Sequence, residues 1–224
     1  MKWIQGFNYL FGTFFNRQKT VINNSLNYLN RKRNIDRNYL DHIRLATLEL
    51  VAEEINKKEL KGAVAELGVY KGKFARYINQ YFPERTLYLF DTFEGFDKKD
   101  VAAELQHNFS SGSQDFSNTS IEKVLAIMPH AKQCVIKKGF FPQTAAGLTE
   151  EFVFVSIDTD LYDPIYNGLN YFYPLLKKGG YIFVHDYNND EYKGAKQAVK
   201  KFCEENNISA TPIPDACGSA IIVK

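Results

Sequence analysis

The sequence predicts one doubly wound α/β domain, a mostly parallel sheet with helices on both faces, preceded by an N-terminal helical extension. Short apolar, β-branched runs alternate with helical stripes from residue 61 onward, which is the pattern of such a sheet. With 224 residues and 45% apolar content, the chain suffices for one core and an appendage but not for two full domains. We therefore place the extension at residues 1–60 and the sheet domain at residues 61–224.

The composition makes a substrate a better first expectation than a nucleic-acid partner; the resemblance described below narrows this to a small-molecule or glycan acceptor. The chain has 28 basic and 26 acidic residues, so its net charge of +2 gives no reason to expect a nucleic acid or an acidic membrane as partner. Its three cysteines are widely spaced and lack a CxxC pair, which argues against a disulfide framework and against a zinc cluster. Such cysteine usage fits a reducing cytoplasm.

The first eighteen residues are aromatic, but polar residues and Gly12 interrupt them and no small-residue cleavage site follows. We expect neither a signal peptide nor a transmembrane helix, which needs ~20 apolar residues. Trp3, Phe7, Leu10 and Phe14 fall at helical spacing. This stripe predicts a helix that docks on its own domain or on a second subunit of a homo-oligomer, with peripheral membrane contact as the alternative.

Hydrophobic spacing predicts the elements of the first half of the chain. Leu48, Val51 and Ile55 form a helical stripe, and Asn38 with Asp41 resembles a helix cap. Gly62 then ends the helix. In order, this half is expected to contain a helix over residues 38–58, a strand at Ala63–Leu67, a helix over residues 74–81 and a strand over residues 86–90 that ends at Asp91.

A polar stretch over residues 107–118 separates the two halves, and it is either a surface excursion or a lid over a substrate or cofactor. Thr119 and Glu122 then form a capping box, and Asp163 with Pro164 reads as another helix start. The Gly179-Gly180 pair is expected to break the chain before a strand. The predicted elements are helices over residues 121–128, 164–172 and 195–202, and strands over residues 134–137, 152–157, 181–184, 208–213 and 219–223.

Two of these strands are followed directly by polar residues, and we expect the functional site at these strand ends. The strand over residues 152–157 and the strand over residues 181–184 are joined by a helix, so right-handed crossover makes them parallel. Their carboxyl ends then open on the same edge of the sheet, where open α/β sheets bind ligands. The side chains expected to share this crevice are Asp158, Asp160, His185 and Asp186.

A glycine turn after the first strand indicates a second part of the same site. Residues 66–72 have the E-x-G-x-x-x-G spacing of the cofactor loop in S-adenosylmethionine methyltransferases, not the G-x-G-x-x-G of dehydrogenases. Glu66 would interact with the ammonium group of that cofactor or with a water beside it, and Gly68 would let the backbone approach the cofactor. An ordinary βα turn is the alternative. Asp91 follows at about the twenty-residue spacing at which such folds bind ribose hydroxyls with an acid, although it could also cap a turn.

With these pieces in place, the chain resembles the macrocin O-methyltransferase family, enzymes that methylate sugar hydroxyls of macrolides and related natural products. The resemblance implies a Rossmann-like class I methyltransferase sheet of seven strands, the last one antiparallel. It covers residues 64–202 and does not cover the first sixty residues well. The matching stretches are VAELGVYKGKFARYI, LYLFDTFEGF, KGFFPQT, SIDTDLYDPIYNGLNYFYPLLKKGGYIFVHDY and GAKQAVKKF.

The resemblance also implies roles for individual residues. Asp160 matches the proposed general base, and a divalent metal, usually magnesium, is bound at positions that match Asp158, His185 and Asp186. The segment Gly139-Phe140 would lie near the adenine. The full set expected to bind S-adenosylmethionine is Glu66, Gly68, Tyr70, Gly72, Asp91, Gly139, Phe140 and Asp158.

His185 departs from the family, which typically has two consecutive acids at this point. Magnesium prefers oxygen ligands, so an imidazole makes manganese, iron or zinc alternatives to it. His185 could instead be the base of a metal-free enzyme, since its unperturbed pKa lies near neutrality. The sequence also allows two functions other than methyl transfer. One is an NAD-dependent oxidoreductase, which would lack the usual phosphate-binding glycines, and the other is a catalytically silent scaffold.

Overall fold

The computed structural model describes residues 41–224. The predicted cap at Asn38 and the aromatic stripe of the first eighteen residues lie outside this range. The helices are α1 (His42–Lys57), α2 (Lys73–Tyr81), α3 (Lys98–His107), α4 (Ile121–Ala126), α5 (Tyr162–Leu175) and α6 (Lys193–Asn206). The strands are β1 (Ala63–Leu67), β2 (Leu87–Asp91), β3 (Cys134–Lys138), β4 (Phe152–Ile157), β5 (Leu176–Val184), β6 (Thr211–Pro212) and β7 (Ala220–Val223), and two 3₁₀ turns occupy Ala131–Gln133 and Gln143–Ala145.

All seven strands form one sheet in the order β3-β2-β1-β4-β5-β7-β6. The pairs β2–β3, β1–β2, β1–β4 and β4–β5 are parallel, and β7 is antiparallel to both of its neighbours. The predicted seven-stranded, mostly parallel sheet with an antiparallel last strand is confirmed. The chain order reverses direction between β1 and β4, which makes the carboxyl ends of these two strands the topological switch point.

The centre of the sheet is built from strands that are buried on both faces. Every residue of β1 and of β4 is buried, as the unbroken apolar runs predict. Phe172 of α5 packs its ring against Phe90, Phe141 and Phe152, with ring centroids 5.2–5.7 Å apart. Burying each such ring contributes roughly 1.5–3 kcal/mol. This packing holds α5 against the end of β2 and the start of β4.

Helix α3 is a helix that the hydrophobic pattern did not predict. Its sequence KKDVAAELQH has no apolar stripe, and its one buried residue is Glu104. Asp97 begins the helix by accepting a hydrogen bond from the backbone N–H of Lys99 at 2.8 Å. Leu105, which a stripe would place inside, is 57% exposed. The buried side chain of Glu104, and not an apolar stripe, holds this helix in place. The spacing of hydrophobic residues therefore predicts no helix here.

Two predicted strand boundaries are wrong. Strand β5 begins at Leu176 and runs through the Gly179-Gly180 pair that was expected to break the chain. A Cβ at Gly180 would lie 2.9 Å from the carbonyl oxygen of Val153, so glycine permits close approach of β4 here. Strand β6 is only Thr211–Pro212 instead of residues 208–213.

Two predicted helix caps also differ. Helix α5 begins at Tyr162, one residue before the predicted cap at Asp163, and Leu161 caps it without a side-chain hydrogen bond. Helix α4 is capped by Ser120, whose Oγ accepts from the N–H of Lys123 at 3.3 Å. Thr119, the predicted cap, instead donates its hydroxyl to the carbonyl of Tyr70. The side chain of Thr119 thus ties the start of α4 to the turn after β1.

The described part of the chain, residues 41–224, contains no helix with the length and apolar character needed to cross a membrane. The three cysteines, all within this part, are free thiols, as their spacing predicts.

Candidate functional site

The tips of β4 and β5 lie side by side. The backbone N–H of Asp158 donates to the carbonyl of Leu67 at 2.8 Å, and that of His185 donates to the carbonyl of Ile157 at 2.9 Å. The ladder therefore continues one residue past each strand. His185 Nδ1 lies 3.0 Å from Asp158 Oδ1 and 2.7 Å from Asp186 Oδ2. The structure thus places these three side chains, from two strands, in direct contact.

Asp160, in the turn after β4, adds its carboxylate to the cluster of Asp158, His185 and Asp186. The carboxylates of Asp158, Asp160 and Asp186 each present an oxygen within 4.8 Å of the other two. Asp160 (φ 61°) and Asp186 (φ 57°) both have left-handed backbone conformations, which bring their side chains back toward the cluster. Burial, followed by the charges of Asp158 and Asp186, raises the pKa of Asp160 well above its ordinary value.

Arg44 of α1 is a member of the cluster that the sequence reading missed. Its Nη1 donates to Asp158 Oδ2 at 2.9 Å, and its Nη2 donates to the Ser156 hydroxyl at 3.1 Å. Its guanidinium carbon lies 3.8 Å from the centroid of the Phe74 ring, and the side chain is only 3% exposed. A signal existed: Arg44 stands four residues before Leu48, in register with the apolar stripe of α1. A cation on a buried stripe requires an anionic partner.

The charges of this cluster are arranged to hold Asp158 ionised. Burial opposes ionisation, but the charges of His185 and Arg44 lower the pKa of Asp158 far below its usual value. Burial likewise opposes the charge of His185, yet the Asp158 carboxylate raises its pKa to about 10. Asp186 also has a lowered pKa: burial opposes this, and the hydrogen bond from His185 outweighs it. Asp160 is therefore the carboxyl group of the cluster that most readily takes up a proton.

Glu66, at the end of β1, is buried with one oxygen that lacks any partner. Its side chain is 1% exposed, and Oε2 makes no hydrogen bond. Burial is the largest cause of its raised pKa, and Asp158 adds to it while Arg44 opposes it. A buried carboxylate oxygen without a donor is costly unless a ligand supplies one. An ammonium group is a suitable donor, and the cofactor-binding role of Glu66 stays a prediction.

Asp91, at the tip of β2, holds the glycine turn. Its Oδ2 accepts from the N–H groups of Val69 at 2.6 Å and Tyr70 at 2.8 Å, and its Oδ1 accepts from Phe93 at 2.6 Å. An ionised carboxylate offers about four acceptor positions, so roughly one remains for a ribose hydroxyl. The turn-capping alternative and the ribose role are therefore compatible.

The glycines of the turn are required by the protein's own packing. A Cβ at Gly68 (φ 85°) would lie 2.1 Å from the carbonyl oxygen of Asp158. Gly68 thus lets the tips of β1 and β4 meet, whereas the sequence suggested only an approach to the cofactor. A Cβ at Gly72 (φ 70°) would lie 3.0 Å from side-chain atoms of Met128 and Val124. The absence of a side chain at Gly72 therefore allows these two residues to pack against the turn.

Tyr70 joins this turn to the polar loop, which spans residues 108–120 between α3 and α4. The Tyr70 hydroxyl donates to Asn118 Oδ1 at 2.6 Å, and its ring meets the edge of Phe116 at 5.0 Å between centroids. At its other end, the loop is held by Ser110, which donates to Glu104 Oε2 at 2.7 Å. The loop is therefore attached to the turn after β1 at one end and to α3 at the other. The lid and the surface excursion both stay predictions.

The other residues predicted to bind cofactor lie after β3. Gly139 has φ 130° and donates its N–H to the carbonyl of Asp91 at 2.9 Å. Phe140 is half-buried, and its carbonyl accepts from the N–H of Thr144 at 3.2 Å. These contacts place Gly139 at the same edge as the tip of β2, next to the glycine turn.

The donor groups of the strand-tip cluster fit a hard divalent cation. Three carboxylates converge, and magnesium and manganese prefer oxygen ligands. Donor atoms of His185, Asp186 and Cys217 also lie within 4.8 Å of one another. Burial raises the pKa of Cys217 to about 11, however, so it is a neutral thiol and a poor ligand at neutral pH. The oxygen-rich set is the better fit.

Comparisons with known proteins agree with this geometry. The family model of the macrocin-O-methyltransferases (TylF) matches residues 16–219. The fold is similar to that of CalS11, a calicheamicin methyltransferase, with 19% identity, coverage of 80% of this chain and 78% of that one, and a TM-score of 0.64. The O-methyltransferase NovP gives 20% identity, 81% and 79% coverage and a TM-score of 0.63.

An apo structure of CalS11, described as a TDP-rhamnose 3'-O-methyltransferase, gives 17% identity, 80% and 78% coverage and a TM-score of 0.55. No curated protein sequence matches the chain. At these identities the structural likeness establishes the fold.

Proposed function

Because the chain belongs to the macrocin-O-methyltransferase family, we propose that it transfers a methyl group from S-adenosylmethionine to a hydroxyl of a sugar or a glycosylated small molecule. One observation carries the proposal. A buried, unpaired carboxylate oxygen of Glu66 and a carboxylate cluster that contains Asp160 open on the same edge of the sheet. The first suits a cationic cofactor and the second suits a hydroxyl that must lose a proton.

In this proposal the chain binds the cofactor with β1, β2 and the segment after β3. Glu66 accepts a hydrogen bond from the cofactor ammonium, and Asp91 accepts one from a ribose hydroxyl. Gly139 and Phe140 flank the adenine. These groups hold the cofactor so that its methyl group faces the cluster at the tips of β4 and β5.

Asp160 acts as the general base. The acceptor oxygen attacks the methyl carbon as the carbon–sulfur bond breaks, and the bonding pair stays on sulfur to give S-adenosylhomocysteine. The proton of the acceptor hydroxyl passes to a carboxylate oxygen of Asp160. A raised pKa makes Asp160 a stronger base than Asp158 or Asp186, whose pKa values are lowered.

A divalent cation, magnesium or manganese, would be held by Asp158 and Asp186, two of the three positions for which the resemblance implies a metal ligand, with His185, the third, in contact with both carboxylates. When bound, such an ion makes an acceptor hydroxyl more acidic. The chain's own contribution is to keep both carboxylates ionised through Arg44 and His185. Asp160 then stays available for the proton.

Calorimetry with S-adenosylhomocysteine tests the cofactor, and labelled S-adenosylmethionine tests transfer to a panel of nucleotide sugars and alkyl glycosides that includes TDP-rhamnose. We expect binding of the cofactor product and transfer to at least one saccharide. Asp160→Asn should lower turnover about 100-fold or more without weakening product binding, on the usual scale for a lost general base. Binding of NADH instead of S-adenosylhomocysteine, followed by fluorescence, would reverse the proposal in favour of an oxidoreductase.

Thermal unfolding with added Mg²⁺, Mn²⁺ or Zn²⁺ tests the ion independently of activity. We expect Mg²⁺ or Mn²⁺ to raise Tm of the wild type and not of Asp158→Asn, since binding to the folded state alone stabilises it. A shift with Zn²⁺ alone would assign the site to His185 and a softer metal. An unchanged Tm with all three ions and full activity after chelation would give His185 the base role.

We further propose, from the sequence, a cytoplasmic protein that self-associates through residues 1–60. Light scattering of the full chain and of a chain lacking residues 1–40 tests the second point.

A further inference from the structure

Burying a side-chain polar atom without a hydrogen-bond partner costs free energy, so each such atom is a candidate contact for a bound ligand. Among residues 41–224, such atoms include Glu66 Oε2, Thr144 Oγ1, Thr159 Oγ1 and the hydroxyl of Tyr192. The side chain of Thr159 lies next to Gly68, and that of Thr144 lies next to Gly139. Three of these atoms therefore border the proposed cofactor site. Tyr192, at the start of α6, stands apart from them.

The Tyr192 ring is buried beside the strand-tip cluster. The residue is 4% exposed, and its hydroxyl has no partner. Burial raises its pKa, and the next largest cause is the charge of Asp160, followed by those of Glu191 and Asp186. The hydroxyl thus lies within electrostatic reach of two carboxylates of the cluster, yet bonds to neither.

The loop of residues 108–120 holds both chain neighbours of Tyr192. Gln114 Nε2 donates to Glu191 Oε1 at 2.8 Å, and the N–H of Lys193 donates to the carbonyl of Phe109 at 3.2 Å. The loop of residues 108–120 therefore contacts the chain on both sides of Tyr192.

An aromatic row connects Tyr192 to the cofactor turn. Tyr192 meets Phe96 with ring centroids 6.5 Å apart, Phe96 meets Phe116 at 5.0 Å, and Phe116 meets Tyr70 at 5.0 Å, all edge to face. The row runs from the start of α6 to the turn after β1. It forms an apolar wall that ends in one unpaired hydroxyl.

We propose that Tyr192 binds the acceptor, with its hydroxyl hydrogen-bonded to an oxygen of the sugar ring or to a hydroxyl next to the one that is methylated. The proposal rests on the proposed function and adds a residue that selects the substrate. A phenol can both donate to and accept from a saccharide oxygen. The aromatic row supplies the apolar surface on which the carbon–hydrogen face of a sugar packs. Neither feature suits the cofactor's ammonium group, which requires the anionic Glu66.

Tyr192→Phe tests the proposal, because it removes only the unpaired hydroxyl. We expect Tm of the free protein to stay equal or to rise by a few degrees, since no hydrogen bond is lost. Tyr171→Phe is the matched control: the single O–H of Tyr171 has two carbonyl acceptors within reach, Ala145 at 3.2 Å and Leu148 at 3.4 Å. That variant should lower Tm and leave the KM for saccharide unchanged.

Kinetics with the saccharide from the panel that is methylated best give the second readout. In Tyr192→Phe we expect KM for the saccharide to rise about five- to tenfold, which is the loss of one neutral hydrogen bond. Turnover at saturation and the affinity for S-adenosylhomocysteine should change less than about twofold, because uniform binding is removed. An unchanged KM overturns the proposal, and so does a fall in Tm equal to that of Tyr171→Phe.

Saturation-transfer NMR with methyl α-L-rhamnopyranoside and TDP-rhamnose, in the presence of S-adenosylhomocysteine, needs no turnover. We expect transfer to a saccharide in the wild type and weaker transfer in Tyr192→Phe. Absence of transfer in the wild type, with S-adenosylhomocysteine bound, rejects the Tyr192 assignment and leaves the cofactor proposal standing. Absence of S-adenosylhomocysteine binding rejects the proposed function itself.

Discussion

Replacing Arg44 by methionine should destabilise the folded chain by about 3 kcal/mol, because it leaves the Asp158 carboxylate short of a cation. Breaking a fully buried ion pair costs about 3–5 kcal/mol. The Asp158 side chain is 23% exposed and keeps His185 at 3.0 Å, which places the expected cost at the low end of that range. The lost stacking on Phe74, at 3.8 Å, is part of the same change.

The free energy of unfolding, measured by urea denaturation at neutral pH, checks this value. Lys57→Met is the matched control on the same helix: Lys57 pairs with Glu53 at 2.9 Å but is 64% exposed. That pair should contribute less than about 0.5 kcal/mol. Arg44→Lys should lie between the two, since a lysine keeps the charge but loses the planar stacking and the two-pronged donation.

A double-mutant cycle separates the ion pair from simple loss of packing. Arg44→Met and Asp158→Asn together should cost less than the sum of the two single changes, by at least about 1.5 kcal/mol, if the two side chains interact directly. Additive costs, or a loss below about 1 kcal/mol for Arg44→Met, would refute the view that Arg44 is the counter-ion of Asp158.

Three further outcomes are expected from other parts of the fold. Gly68→Ala should cost more than about 3 kcal/mol, because its Cβ would lie 2.1 Å from the Asp158 carbonyl oxygen, whereas Gly147→Ala, with open space around it, should cost only the ~1 kcal/mol of its left-handed backbone. Glu104→Ala should cost about 2–3 kcal/mol in urea, since it leaves the buried N–H of Tyr162 without its 2.7 Å acceptor. Asp100→Asn should stabilise the protein at pH 7.5 by about 1 kcal/mol, after a discount for solvent screening, and not at pH 3. Burial first, and neighbouring acids second, raise the pKa of Asp100 from 3.8 to about 6, so its contribution to stability is full below pH 3.8 and is lost as the pH rises through 6.

The positions of the strand tips were predictable from the sequence, because the carboxyl ends of parallel strands lie at the same edge of a sheet. Two apolar runs joined by a helix, each ending in acids, fix where those acids must meet whatever the details of the loops. The contact between Asp158 and His185 follows from this rule. The glycine turn and Asp91 follow from it as well, one strand further along.

Arg44, Glu104 and Tyr192 could not be placed in the same way. Each acts through a contact between elements far apart in the chain: Arg44 reaches Ser156 across 112 residues, and Glu104 reaches Tyr162 across 58. Periodicity assigns a residue to a face but does not pair that face with another. Arg44 lies in register with the apolar stripe of α1, but the stripe does not identify its acidic partner, and Glu104 lies in a helix that has no apolar stripe.

Backbone strain in the described chain collects at the edge where ligands are proposed to bind. Of the non-glycine residues with positive φ, Asn108 and Asn207 cap helices and Glu59 follows one. The others are at strand tips: Tyr70 after β1, Phe93 after β2, Asp160 after β4 and Asp186 after β5.

Such conformations cost about 1–3 kcal/mol each and persist only where the surroundings enforce them. At these tips the enforcing contacts are identifiable. Asp91 bonds to the N–H groups of Tyr70 and Phe93, and Asp186 is held by His185 and by Asn189 Nδ2 at 2.6 Å. The carboxylates therefore do more than face a ligand. They also stabilise the strained turns that present them, so a substitution at Asp91 or Asp186 should loosen the edge of the sheet as well as remove an acceptor.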